Sequence, residues 1–533
     1  MLTLLRRLSP SMRECRVALL SLAKAAETFN NATSSEDLRV ALERAEQRLV
    51  QVYSRSHGIS LRSLDSKTLS RFGAAARSNV WLLEEIAARY LELHKSFCVP
   101  QYEESEPKCR VINDLLAMTI ATETPLSPEV ANSISAMVDL VRNDLTQIPY
   151  PPGYQVSKRW REMMGYAMRL ALRLEDPRHI AYASMALFDV EIRILSDELF
   201  GEVADRCRTT YHRTHPELRG IGDSSLARPG TTVVVEGVPY SSKTEQGFFF
   251  YHEIFGSLPE NESTEVVVEI GSGFGRLARI MRLAGRTRCF VLVDLPEALL
   301  FAYAFLKVTL PDASTYVIKS KADVSPHMTS EYDFIFCPVQ LLAELRLDGV
   351  DLVLNTYSLS EMTQGCADHL MDCIHDVLRP RFLYSLNYMF SDKSIHFDTG
   401  GLDGEANEVV LKLRPEWQPL RFDLTPSIGT SGYRVAGSAV LRRIAPRPAR
   451  ESIDDMIETA STAARGSPEW LGRMYLAALW ADDPAITEKF FGGLKQFFSD
   501  RAIDARAEFN FDRIGEVRFM RRRIGGPDRS FDQ

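Results

Sequence analysis

The residues best suited to chemistry stand in Val266-Val-Val-Glu-Ile-Gly-Ser-Gly-Phe-Gly-Arg-Leu-Ala-Arg279. An apolar run leads into Gly271, Gly273 and Gly275, and a helical pattern follows. Glycine is needed where a chain turns sharply and its backbone must approach a ligand. Glu269 lies two residues before the first glycine. Asp294 ends the next apolar run, 23 residues beyond Gly271. A carboxylate at such a strand tip can accept both hydroxyls of a ribose. The chemistry indicated is capture of a nucleoside cofactor.

The spacing also bears on which nucleoside. A dinucleotide fingerprint reads G-x-G-x-x-G, whereas this chain reads G-x-G-x-G with Arg276 next. A diphosphate held against the helix N-terminus would be repelled by Glu269. A cofactor with an amino-acid end and a sulfonium would be attracted to it. The pattern therefore favours S-adenosylmethionine over NAD.

A second group of polar residues lies in Asp351-Leu-Val-Leu-Asn-Thr-Tyr-Ser-Leu-Ser-Glu-Met362, where a fourth parallel strand would end. Ligands of open α/β sheets bind at the carboxyl ends of strands, which directs Asn355, Ser358 and Glu361 toward the cofactor or the acceptor. Ser358 and Glu361 equally spell a helix-capping box. Asp323 follows an apolar run that would form a third strand. It reads either as a contact to the adenine end or as a solvated loop acid.

Those segments need a parallel sheet to bring them together. Short apolar runs at Val266–Ile270, Cys289–Val293, Tyr332–Phe336, Asp351–Leu354, Phe382–Ser385 and Ala439–Leu441 alternate with helical patterns. Runs of that length with helices between them predict βαβ units covered on both faces. Upstream, residues 1–230 read as helical. Thr33-Ser-Ser-Glu36 is a capping box, and Ser127-Pro128-Glu129 starts a helix with the stripe Val130, Ile134, Met137, Val141 and Leu145. Pro149-Tyr-Pro-Pro-Gly153 is a strong break. Downstream, Pro446–Arg450 reads as a linker, and Ser467-Pro-Glu469 opens another helix in an appendage over 446–533.

Three segments together resemble the sugar O-methyltransferase family. They are Glu269-Ile-Gly-Ser-Gly-Phe-Gly-Arg-Leu277, Val293-Asp-Leu-Pro-Glu297 and the Asp351–Met362 stretch, with Gly237-Val-Pro-Tyr240 and Tyr251 also similar. The resemblance covers about residues 215 to 445. It implies a Rossmann-like class I methyltransferase domain over 231–445, a mostly parallel sheet with helices on both faces. Outside the resemblance, the helical patterns place a large helical region before it and a small helical appendage after it. The resemblance implies that Glu269, Gly271, Gly273, Gly275 and Asp294 bind S-adenosylmethionine, and that the acceptor is a sugar hydroxyl of a glycan or glycosylated product; Asn355 joins the cofactor residues by its place at the fourth strand's end.

A sugar hydroxyl is a poor nucleophile at neutral pH, so a positioned base contributes about 10² to 10⁴ in rate. The candidates are His396 and Glu361, with Asn387 to orient the hydroxyl. His369 and His375 read as packing or surface residues. Asp392, His396 and Asp398 alternate along one possible strand face, which reads more simply as a polar edge than as a metal site, so no metal is expected. Tyr240 is open to a sugar-facing role, whereas Phe248 to Phe250 read as core.

Composition bounds the alternatives. The 533 residues suggest about three to four domains. With 63 Lys+Arg against 71 Asp+Glu the net charge is -8, which argues against a protein that works by coating nucleic acid. Eight cysteines without a CxxC pair read as reduced thiols of a cytoplasmic protein. No transmembrane segment is spelled out, and Arg6, Arg7 and Arg13 interrupt the first apolar run. Helical flanks allow a homo-oligomer. Three other readings stay open: methylation of a non-sugar metabolite, a silent scaffold with a vestigial cofactor site, and an NAD-dependent sugar enzyme. Arg276 and the lack of a Tyr-x-x-x-Lys pair argue against the last.

Overall fold

The computed structural model describes residues 126–156, scattered positions between 160 and 181, 205–223, 233–259, 262–391, 413–429 and 432–500, apart from single positions and some side chains within them. The capping box at Thr33, together with Asp392, His396 and Asp398, lies outside the described residues, as does the side chain of Glu361.

An eight-stranded sheet organises the chain. A two-stranded hairpin, β1 (Val233–Val235) and β2 (Val238–Tyr240), leads to helix α2 (Ser242–Phe255). The large sheet then forms from β3 (Val266–Ile270), β4 (Cys289–Asp294), β5 (Thr315–Val317), β6 (Phe334–Pro338), β7 (Leu352–Thr356), β8 (Phe382–Ser391), β9 (Trp417–Gly429) and β10 (Gly432–Arg443). Their spatial order is β5-β6-β4-β3-β7-β8-β10-β9. Neighbours are parallel from β5 through β8, whereas β10 runs antiparallel to both β8 and β9. From β3 the chain moves outward first through β4 and later, on the other side, through β7. The carboxyl ends of β3, β4 and β7 therefore flank the point where the winding reverses, the place such sheets bind ligands.

The apolar runs form strands because both faces are covered. Every residue of β3 is buried. Val267, Phe290, Leu292, Leu352 and Leu354 feed the core on one face. Val268, Ile270, Val291, Val293 and Val353 feed the core on the other. Helices α3 (Arg276–Leu283) and α4 (Pro296–Thr309) cover the first face, and α5 (Gln364–Asp372) covers the second.

Two sequence expectations change here. The short run Ala439–Leu441 is part of the C-terminal half of the twelve-residue β10, and its partner β9 was not anticipated. The β9 segment carries Pro419 and Pro426 and reads as loop. A strand tolerates proline where no neighbour needs its N–H, and β9 is an edge strand. At the other edge stands β5, with β6 between it and β4.

Helix α1 (Pro128–Asn143) starts as expected, with the Ser127 hydroxyl accepting from the Val130 N–H at 3.3 Å. Its stripe Val130, Ile134, Met137, Val141 and the following Leu145 are all buried, and the helix packs against α4. After the sheet come α6 (Ala449–Ser461), α7 (Pro468–Trp480) and α8 (Pro484–Asp500). Ser467 caps α7 through the Trp470 N–H at 3.2 Å. Tyr475 of α7 stacks on Phe422 of β9, centroids 5.7 Å apart. The Trp480 indole donates to the Leu413 carbonyl at 2.7 Å. Among the described residues no helix is long and apolar enough to cross a membrane.

Candidate functional site

Strand β3 ends in a loop that turns on three glycines. Gly271, Gly273 and Gly275 have φ of 74°, 54° and 81°, in the left-handed region. A Cβ on Gly271 would stand 2.0 Å from the Ser358 hydroxyl oxygen, and one on Gly275 would meet Leu306 at 3.1 Å. Gly275 then caps α3. The loop's backbone is thus pressed between β7 and α4, with its N–H groups on the sheet's carboxyl edge.

Asp294 ties the second strand to this loop. One carboxylate oxygen accepts the Gly273 N–H at 2.9 Å, and the other accepts the Leu295 N–H at 2.7 Å. Burial pushes the carboxyl up to about 7 despite those bonds, with a further push from Glu297. Glu269 is buried, and its Oε2 finds no hydrogen-bond partner among the described residues. Burial, then the nearby Asp294, holds its carboxyl well above the carboxylate range. Two raised carboxyls beside a glycine cradle form a site short of positive charge.

Asn355 and Ser358 hold the loop from the β7 side. The Asn355 amide donates to the Ile270 carbonyl at 2.8 Å and to the Ser358 hydroxyl at 2.5 Å. Ser358 also donates to Ile270 at 3.1 Å, and the Leu359 N–H donates to the Asn355 oxygen at 3.3 Å. Asn355 is fully buried with both ends of its amide engaged. Its geometry is that of a clamp on the last residue before Gly271. On the neighbouring strand β8, Asn387 clamps the turn in the same way. It accepts the Ser360 N–H at 3.1 Å and donates to the Ser385 hydroxyl at 2.8 Å. The backbone of Glu361 lies in the short turn Leu359–Glu361 between these two clamps.

Other sequence candidates separate from the site. The Asp323 carboxylate caps its own turn, accepting from the N–H groups of Lys319 at 3.0 Å and Ser320 at 2.8 Å, beyond the outermost strand. Tyr240 is buried against Phe248 and His212, so its expected openness to a sugar does not hold. Phe248 is core, as expected. His375 is buried, accepts the Trp417 indole N–H at 2.9 Å and is pushed down to about 4 by burial. His369 presents its ring to Tyr154.

The structure adds residues that pattern reading missed. Tyr357, between Asn355 and Ser358, has φ of 65°. A non-glycine residue held there costs on the order of 1 to 3 kcal/mol and marks functional turns. Gln340 lies two residues past Pro338, the register partner of Asp294, and is buried with neither amide atom hydrogen-bonded among the described residues. No residue spacing signals either. Tyr150, within the proline break, and Tyr154, just past it, stack on one another with centroids 5.5 Å apart. Among the described residues no group of three or more His, Cys, Asp or Glu side chains could hold a metal.

No family model matches the chain, and no curated protein matches it. Among solved structures it is similar to the small RNA methyltransferase HEN1, at 13% identity and a TM-score of 0.26, over 39% of this chain and 26% of that one. It is also similar to TrmK of M. capricolum in complex with S-adenosyl-homocysteine, at 9% identity and a TM-score of 0.22, over 45% of this chain and 95% of that one. The chain thus spans about a quarter of HEN1. Scores this low carry no functional argument, which rests on the site itself.

Proposed function

We propose that this protein is an S-adenosylmethionine-dependent methyltransferase that methylates a hydroxyl of a sugar in a glycan or glycosylated product. The observation that carries the cofactor is the joining of the Gly271–Gly275 cradle to two buried carboxyl groups, Asp294 and Glu269, the second with an orphaned oxygen among the described residues. A nucleoside with a cationic end fits both features. Its ribose hydroxyls would donate to Asp294, and its positive charge would face Glu269. A dinucleotide would instead bring a diphosphate toward these acids.

When bound, S-adenosylmethionine supplies an electrophilic methyl on a sulfonium. The chain's residues do the rest. Asn355 and Ser358 hold the Ile270 carbonyl and thereby the glycine loop, and Asn387 holds the turn that carries Glu361. The acceptor hydroxyl must lose a proton. We assign that role to His396 or Glu361, with the orientation set by the turn between β7 and β8. Sugar as the acceptor class rests on the motif resemblance, and a net charge of -8 disfavours a nucleic acid. The proposed unit is 231–445, in a cytoplasmic protein.

The test is calorimetric titration with S-adenosylhomocysteine, with NAD as control. Micromolar binding of the first and none of the second is expected. Binding of NAD alone overturns the proposal.

A further inference from the structure

The break Pro149–Gly153 does more than end a helix. It lies in a segment that crosses the carboxyl edge of the sheet. Upstream, α1 and Leu145 pack in the core on the α4 face. Downstream, Tyr154 packs in the core on the opposite face. Ile148, midway, packs into both cores, and so does Leu295, the residue after Asp294. The crossing is therefore made over the tip of β4.

The far end of this strap is pinned. The Gln155 N–H and carbonyl both pair with the Cys366 thiol of α5, at 3.2 Å and 3.1 Å. Gly153 presents its carbonyl to Gly365, where a Cβ would come within 3.2 Å. Two glycines thus let strap and helix touch. The buried Tyr154 ring lies edge-on to His369 at 5.9 Å on one side. On the other, Tyr150 stacks parallel to it, centroids 5.5 Å apart and 2° between planes. Tyr150 nevertheless stays 38% exposed. Tyr150 lies two residues past Ile148, which shares both cores with Leu295, the neighbour of Asp294, so the ring stands at the tip of β4; burial first, and then Glu297 and Asp294, push its hydroxyl pKa up. A rigid aromatic with one face on a buried partner, next to the group that holds the ribose, is what a purine base stacks upon.

We propose that Tyr150 is the platform for the adenine of the cofactor, and that the strap 145–156 forms one wall of the nucleoside site. The inference rests on the methyltransferase reading above. It gives the region upstream of the glycine loop a direct role in cofactor selection. Tyr154 is the positioning residue that holds the platform.

The test titrates the full chain with S-adenosylhomocysteine and, separately, with adenosine. Tyr150→Ala should weaken both by the same factor, about 5- to 100-fold, since base–aromatic stacking is worth ~1 to 3 kcal/mol. Tyr150→Phe should bind within about threefold of the parent, because stacking needs the ring and not the hydroxyl. Tyr150→Trp should bind at least as well, and its added indole emission should be quenched by adenosine. If the parent binds S-adenosylhomocysteine and Tyr150→Ala binds both ligands equally well, the platform is wrong while the methyltransferase reading stands. If the parent binds neither, both fall. An unchanged melting temperature in Tyr150→Phe and Tyr150→Trp separates stacking from fold damage.

Discussion

Gly271 and Ser358 occupy touching positions: a Cβ on the glycine would stand 2.0 Å from the serine oxygen and 2.3 Å from its Cβ. The first residue of the glycine loop and a residue beyond the fourth-strand position, 87 apart in sequence, are therefore one packing unit.

That contact separates two reasons for glycine. Gly271→Ala meets both a forbidden contact and a left-handed φ of 74°. It should weaken S-adenosylhomocysteine at least tenfold. Adding Ser358→Gly removes the contact but leaves the backbone strain of about 1 to 2 kcal/mol. Calorimetry on the pair should show partial recovery only. Full recovery would mean that the φ is not a constraint.

Asn355→Ala removes the clamp on Ile270 and leaves the Leu359 N–H without its acceptor. A buried group stripped of its partner costs about 1 to 3 kcal/mol. The unfolding free energy, read from a lower urea midpoint at unchanged slope, should fall by that amount, and cofactor affinity should fall with it.

Asp294 gives the site a pH signature. Its carboxyl is held at about 7 rather than 3.8, so the folded chain keeps a proton that the unfolded chain loses. Its contribution favours the fold most at low pH, declines as pH rises from about 4, and reaches its full cost above about 7. Ribose hydroxyls need the ionised form, so binding should release protons near pH 6 and tighten up to about pH 7.5. Titrations in phosphate and Tris should differ in heat, and Asp294→Asn should abolish the difference. Thermal melts of parent against Asp294→Asn over pH 4 to 8 should diverge in the stated direction.

Gln340 predicts a trade of stability against binding. Its amide is buried and unpaired among the described residues, so Gln340→Leu should hold or raise the melting temperature, since an unsatisfied buried polar group costs about 1 to 3 kcal/mol. The same change should weaken S-adenosylhomocysteine. A fall in melting temperature would show that the amide is satisfied.

His396 and Glu361 divide on kinetics. Whichever is the base, its substitution (His396→Ala or Glu361→Gln) should lower the rate of S-adenosylhomocysteine production by about 10² to 10⁴ while leaving cofactor affinity unchanged. Equal small effects from both would remove them from that role.

The local order of the chain determined a good deal. Buried strands announce themselves as apolar runs, so β3, β4, β6, β7 and β8 were legible, as were the Ser127 and Ser467 helix starts. The glycine triplet was legible because a turn with left-handed φ admits few other residues, and Glu269 and Asp294 because they sit in and at the end of apolar strand runs. Tertiary structure decided which distant residues meet. Strand order placed β6 beside β4, which moved Asp323 out to a turn of its own and brought Gln340 in. Burial alone converted Asn355 from a residue facing a ligand into a clamp on the loop. The proline break became a wall because α1 and α5 hold its two ends on opposite faces of the sheet. Spacing encodes what neighbours along the chain can do together. Burial, carboxyl pKa and the crossing of a strap depend on packing between segments, which no local pattern records.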